Sequence, residues 1–357
     1  MMASGKARLD WVDMAKGLSI FLVVTMYCAA SVGEDTGQTG FLHWTIAFAM
    51  PFRMPEFFLL SGLFLNQVIE RPWKAYADRR VVHYAYFYAL WALIHILFKQ
   101  ALIARDPSGA AAWLALAIIE PYGVLWFIYM LAVFGLVAKF LREIKAPHWG
   151  VLAVAAVLQM ASIHTGSYLV DQFAEYFVYF YAGAFFAPRL FALADWSAAN
   201  VMPAMAVLAA WAAINAVMVF SPGFRLDPVH IVMGWGALPG LHLILALAGA
   251  TAICMGAALL ARLPAMDWLR WMGSKSLVVY VAFVLPMGIA RTILLALGVE
   301  EPNLLSLLTM AVAIGSPLIL WWIIQKIGFG KFLFERPAWA HLPGTGHPAE
   351  PRTAPAE

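Results

Sequence analysis

The sequence predicts an all-α fold, a polytopic transmembrane bundle of about ten helices with both termini cytoplasmic. Three observations point there. The 357 residues are 63% hydrophobic and only 12% charged, with a mean hydropathy of +0.79, whereas a soluble domain carries about twice that charged fraction. Apolar stretches of bilayer length recur along the chain. Basic residues, finally, cluster in alternate connecting segments, the asymmetry that orients membrane helices.

Ten apolar spans lie near 15–32, 41–69, 81–104, 122–141, 150–165, 170–192, 200–220, 238–261, 276–298 and 304–326, against the roughly 17–25 residues that a crossing helix needs. The segment 150–165 is short, and a separate apolar run at 111–119, before Glu120-Pro121, reads as a re-entrant or interfacial helix. Outside the spans, eighteen Lys and Arg fall on one side, in segments that include Lys16, Arg71, Lys74, Arg79 and Arg80. The opposite loops hold Arg105 and Arg225, and the first of them, Gly33 to Gly40, is acidic. That asymmetry places both termini inside.

The first span is longer than the apolar core of a secretory signal and lacks a small-residue cleavage pattern, so it is expected to stay as an anchor. Residues 1–338 are expected to form one transmembrane domain, and 339–357, rich in Pro, Gly and small residues, a disordered cytoplasmic tail. Cys28 and Cys254 lie inside spans and fit neither a disulfide framework nor a metal motif. No Gly-rich phosphate loop or His-Glu-x-x-His is present, and the net charge of +3 collects on the inner face. It therefore speaks for topology and against nucleic acid as a partner.

Three basic residues remain deeper within spans: Arg53, Lys99 and Arg291. Lys99 is near a span end and can snorkel. Arg53 lies with Glu56 in an otherwise apolar segment, where charges are expensive unless paired or facing a polar cavity. Pro51 and Pro55 flank Arg53 and loosen the helix there. Two readings stay open: an Arg53–Glu56 pair that neutralises itself at i,i+3, or a functional site. At 1.5 Å per residue, Tyr27 lies roughly 16 Å above Lys16, and Arg53 and Glu56 roughly 18–22 Å below Phe41, so the three are expected to share a layer.

His95 lies slightly outward of that layer, on one face with Tyr84, Tyr88 and Trp91. A lone histidine there reads either as a bundle residue or as a site residue. Farther out, Tyr168, Asp171, Glu175 and Tyr179 form a stripe, with Arg291 and His242 at similar depth; saccharide binding and an interfacial belt both explain it. The inner cations Lys16, Arg71, Lys74, Arg79 and Arg80 suit a phosphorylated donor, and membrane orientation alone would also put them there.

Four motifs run through the chain in order: Arg8-Leu-Asp-Trp-Val-Asp13-Met-Ala-Lys16-Gly17, Phe52-Arg-Met-Pro-Glu-Phe-Phe-Leu-Leu-Ser-Gly62, Leu125-Trp126-Phe-Ile-Tyr129 and Gly273-Ser-Lys-Ser276-Leu-Val-Val-Tyr280. With them the chain resembles the acyltransferase-3 membrane proteins, in their small ten-span bacterial branch. The resemblance implies an inner-membrane enzyme that moves an acetyl or succinyl group from cytoplasmic acyl-CoA to a hydroxyl of an extracytoplasmic glycan or lipid-linked saccharide. It implies no tightly bound cofactor and no metal. Taken with the polar faces and inner cations above, the candidates are Tyr27, Arg53, Glu56 and Lys16 for catalysis, His95, Trp126, Tyr129, Asp171, Glu175 and Arg291 for acceptor binding, and Arg71, Lys74, Arg79 and Arg80 for donor binding. The chain departs from the family at two positions: where the family has a histidine separated from its basic residue, here Lys16, by ten residues, Tyr27 stands, and where a second histidine is common, Phe283 stands. An unperturbed tyrosine titrates near 10, so either Tyr27 is perturbed, Glu56 or His95 serves as base, or the chain is a transporter or a glycan- or lipid-binding protein without the chemistry.

Overall fold

The computed structural model describes residues 3–345, with side chains from Asp10 onward. The chain is 78% helical with almost no sheet. In order the helices are α1 (Ala3–Thr36), α2 (Phe41–Ala49) and α3 (Arg53–Gly62); α4 (Trp73–Ile103); α5 (Pro107–Leu116); and α6 (Gly123–Glu143). Then follow α7 (His148–Met160), α8 (Tyr168–Phe185), α9 (Ala187–Ala199) and α10 (Val201–Val219). An antiparallel hairpin of β1 (Arg225–Leu226) and β2 (Ile231–Val232) precedes α11 (Pro239–Leu260), α12 (Asp267–Ser274), α13 (Ser276–Ala282), α14 (Val284–Ala296) and α15 (Pro302–Ile327).

Among the described residues six helices are long and apolar enough to cross a membrane, α1 from Asp10, α4, α6, α10, α11 and α15. Three bent pairs raise the number to nine: α2–α3 at 51°, α8–α9 at 72° and α13–α14 at 56°. Proline explains the bends. Pro51 and Pro55 bracket the first, Pro188 is the second residue of α9, and Pro286 is the third of α14; each lacks a backbone donor and disfavours helix just before it. The tenth span expected from sequence is the short helix α7. Its 13 residues rise only about 20 Å, less than a hydrocarbon core of about 30 Å.

Boundaries also move. Helix α1 runs on through Glu34 and Asp35, and α4 begins at Trp73, so Lys74, Arg79 and Arg80 lie on its opening turns and not in a loop. The apolar run at 111–119 lies in α5 up to Leu116 and in the turn that follows, and the first turn of α5 is capped by Asp106 accepting from the Gly109 N–H at 2.9 Å.

The chain divides into two compact units. The first comprises residues 1–65 and 146–322, and α1 runs through it, packed on α3, α11 and α12. The α1–α12 crossing is close because it is built on glycine: a Cβ on Gly273 would overlap the Asp13 carbonyl oxygen, and one on Gly17 the Leu269 carbonyl oxygen. Small residues permit such backbone approach between membrane helices. Arg270 of α12 then pairs with Asp10 at 3.0 Å and Asp267 at 3.1 Å.

The second unit comprises residues 66–145 and 323–357. In it Tyr76 donates to the Gly135 carbonyl at 2.6 Å, and Lys139 donates to the Ile69 carbonyl at 2.9 Å. The chain beyond α15 is held against α4. Tyr86 and Trp91 donate to the carbonyls of Phe332 and Leu333, both at 2.9 Å. Buried Asp78 accepts from the Arg336 guanidinium at 2.6 Å and the Leu342 N–H at 2.8 Å, with His341 Nδ1 at 3.1 Å. The expected disordered tail begins at 339; its residues up to 345 are described, with His341 and Leu342 in this clamp, and 346–357 lie outside the described residues.

Candidate functional site

The break between α2 and α3 decides where Arg53 goes. Helix α2 ends at Ala49, and Arg53 becomes the first residue of α3. There it lines a pocket. Helix α1 contributes Met26 and Ala30, α2 contributes Ile46, the break after it contributes Met50, and the hairpin contributes Val229 and Ile231. Arg53 Nε is buried and has no hydrogen-bond partner, and no ion pair joins Arg53 to Glu56 among the described residues. The i,i+3 pair that would have neutralised both charges is not formed. Arg53 is instead within electrostatic reach of the Tyr27 and Tyr176 hydroxyls.

Glu56 takes a different partner. It is fully buried, and its Oε1 accepts from Ser19 Oγ at 2.5 Å while Oε2 has no partner. Ser19 is eight residues from Tyr27, about 12 Å along α1. Arg53 and Tyr27 therefore share a layer as expected, and Glu56 belongs to one nearer the amino end of α1. The expectation that Glu56 shares the layer of Tyr27 and Arg53 is not met, because its carboxylate turns to Ser19. Ser19 was not singled out because an isolated serine in an apolar helix carries little signal.

Three of the four sequence motifs converge here. Tyr27 packs against Phe283, ring centroids 5.5 Å apart, so the two places where the resemblance implies histidine face each other. Phe57 of the second motif packs edge-on against Tyr280 of the fourth at 6.3 Å, and Gly17 meets the backbone beside Gly273. Lys16 pairs with Asp13 at 3.4 Å and is partly exposed.

The rim of the pocket is held by His43. Gly40 N–H donates to His43 Nδ1 at 3.0 Å, which leaves the proton on Nε2 to be donated to the Pro228 carbonyl at 3.1 Å. Gly33 permits this closure, since a Cβ there would overlap the Pro228 carbonyl oxygen. Gly33→Ala is expected to push the hairpin outward and to destabilise the protein by about 1–3 kcal/mol. Faster proteolysis at 222–234 with a lowered Tm would show it; an unchanged pattern would mean that the hairpin is not set by this contact.

The remaining site residues disperse. Arg291 pairs with Asp35 at 2.7 Å and donates to the Ser31 carbonyl at 3.3 Å, tied to the end of α1. Asp171 braces its own loop, accepting from Thr165 N at 2.7 Å and Oγ1 at 2.9 Å. Glu175 joins a small polar cluster: His242 Nδ1 lies 3.9 Å from its Oε1, and Gln159 Nε2 is 3.0 Å from the same His242 nitrogen. Tyr176, missed in the sequence, lies in reach of both Glu175 and Arg53. His95, Trp126 and Tyr129 belong to the second unit. There His95 packs on Trp91 at 5.9 Å, Trp126 is buried, and the Tyr129 hydroxyl donates to the Ile118 carbonyl at 3.2 Å. Arg71, Lys74 and Arg79 are exposed in that unit and Arg80 is half-buried, 3.5 Å from the Tyr84 hydroxyl.

The family pattern described as an acyltransferase domain, acyltransferase-3, matches residues 9–325. The chain belongs to the acyltransferase-3 family. No curated protein and no solved structure matches it significantly. Within this acyltransferase-3 chain the match takes in α1 from Leu9 through most of α15, and with it every residue of the Arg53 pocket. Membership supports a multi-pass membrane acyltransferase. It leaves Tyr27 and Phe283 as an apolar contact in the layer of Arg53.

Proposed function

We propose that this protein is an inner-membrane O-acyltransferase that moves an acetyl or succinyl group from cytoplasmic acyl-CoA to a hydroxyl of an acceptor reached from the other side, a glycan or lipid-linked saccharide. The observation that supports this most is Arg53 in the lining of a pocket, its buried Nε without a hydrogen-bond partner and its charge within electrostatic reach of Tyr27, inside the matched family region. The acceptor oxygen attacks the thioester carbonyl carbon, the C–O bond forms, and the C–S bond breaks. The proton leaves the hydroxyl for a base and ends on the CoA sulfur. Arg53 stabilises the oxyanion that develops on the carbonyl, and Tyr27 or Glu56 serves in proton transfer. Within the second unit, the exposed cations Arg71, Lys74 and Arg79 are the candidates for holding the donor phosphates.

In this reading ten segments, α7 included, meet the membrane, both termini are cytoplasmic, and the hairpin faces outward. Cys28 and Cys254 are buried, so added cysteines report against a low background. Gln38→Cys is expected to react with an impermeant maleimide applied from outside, and Lys74→Cys from inside; the reverse pattern overturns the orientation. Activity is tested by CoA release from acetyl- and succinyl-CoA by the purified protein in nanodiscs with hydroxylated acceptors. A second reading, a binding or transport protein that keeps the cavity without the chemistry, is favoured by the Tyr27–Phe283 contact. Absence of CoA release with every acceptor, from folded protein, selects it.

A further inference from the structure

We infer that the pocket above Arg53 is a binding site for a monoanionic acceptor, a molecule bearing a carboxylate or phosphodiester beside its hydroxyls together with an apolar flank. This rests on the acyltransferase reading only in taking the bound molecule to be the acceptor. The pocket itself gives three reasons. A guanidinium at membrane depth is costly without a counter-charge, and the nearest acid in sequence, Glu56, is turned to Ser19. Arg53 Nε is buried without an acceptor, and a guanidinium edge with a free Nε is a ready-made fork for two oxygens of one anion.

The rest of the lining decides against a neutral saccharide. Met26, Ala30, Ile46, Met50, Val229 and Ile231 are apolar. The one other ionisable side chain in the lining, His43, has both ring nitrogens occupied, by Gly40 N–H and by the Pro228 carbonyl. A neutral sugar seated there would leave the Arg53 charge without a counter-charge at membrane depth. An anion held by Arg53 with an apolar flank against the methionines leaves none of the lining groups unsatisfied. The charge also sets the valence. One cation matches one negative charge, whereas a phosphomonoester carries about −1.5 to −2 at neutral pH and no second cation lines the pocket.

The test is equilibrium binding to the full chain in phosphatidylcholine nanodiscs, without acyl-CoA, by calorimetry and by thermal shift. Three probes are compared: glucuronate, glycerophosphoglycerol and neutral glucose. One or both anions are expected to bind and raise Tm, and glucose to do neither; which anion binds more tightly separates a carboxylate source from a lipid headgroup. Arg53→Gln is expected to weaken anion binding by about ten- to a hundredfold, the worth of a charged hydrogen-bonded contact, and Arg53→Lys to recover part of it. Ala30→Phe, which fills the pocket and leaves Arg53 in place, is expected to abolish binding while the protein keeps its Tm. Glucose binding as tightly as glucuronate, anion affinity unchanged in Arg53→Gln and Ala30→Phe, or no binding of either anion overturns the inference. The two readings fail separately. Anion binding without CoA release removes the transferase reading and leaves the site, whereas CoA release to glucose that neither anion inhibits removes the site and leaves the transferase.

Discussion

Arg53→Gln is expected to lower acyl transfer by about 10²–10³-fold, the loss seen when one pre-organised oxyanion donor is removed, while Tm stays the same or rises. The second half of that outcome follows from the unpartnered guanidinium. Most buried charges are fixed by a partner, and deleting them leaves the partner stranded at a cost of about 3–5 kcal/mol. Here no carboxylate is left behind, because Glu56 is already bound to Ser19, and removing an unpaired charge from membrane depth relieves a penalty. A structural role predicts the opposite pair of results, lower Tm with transfer intact in whatever fraction folds. Glu56→Gln is the companion measurement. Its amide oxygen can still accept from Ser19, so the fold is expected to persist, and a lost rate would identify Glu56 as the proton acceptor.

Tyr27→His is expected to raise acyl-CoA turnover by about 10²–10⁴-fold, the usual contribution of a well-placed general base. The structure shapes how this should be done. Position 27 is partly accessible, whereas Phe283, its ring neighbour, is fully buried. A histidine placed at 283 alone would bury polar nitrogens at about 1–3 kcal/mol unless a partner is supplied, so Tyr27→His comes first and Phe283→His is added to it. Continuous CoA-release assays on wild type, Tyr27→Phe, Tyr27→His and the double variant make the comparison. If wild type is active and Tyr27→Phe is unchanged, the hydroxyl moves no proton. If Tyr27→His folds and gains nothing with an accepted hydroxyl present, the binding reading stands.

The helical, membrane-spanning class was legible in the sequence because it depends on a single solvent constraint, satisfied backbone groups in an apolar medium. Pro51 and Pro55 likewise marked a real break. Side-chain partners were less legible. Rise per residue fixes depth to a few ångströms, which was enough to bring Arg53 to Tyr27 and not enough to choose between Tyr27 and Ser19 for Glu56. Rotation about the helix axis is not given by depth at all. Arg291 therefore went to Asp35 and Asp171 to Thr165. His95, Trp126 and Tyr129 fall in a compact unit separate from Arg53, and no local pattern in the sequence announces that division.

The clamp on Asp78 has a consequence for biogenesis. Its partners Arg336 and Leu342 are separated from it by 258 and 264 positions, and residues 146–322, which belong to the other unit, are synthesised in between. At about 5–20 residues per second, a nascent chain waits roughly 13–50 s between making Asp78 and making the arginine that satisfies it. During that interval α4 and α6 are already in the translocon or the bilayer with an uncompensated carboxylate, the state in which a quality-control protease would meet them. Loss of Arg336 would thus be felt first as a lower yield of inserted protein, and only secondarily as a lower melting temperature of the molecules that survive.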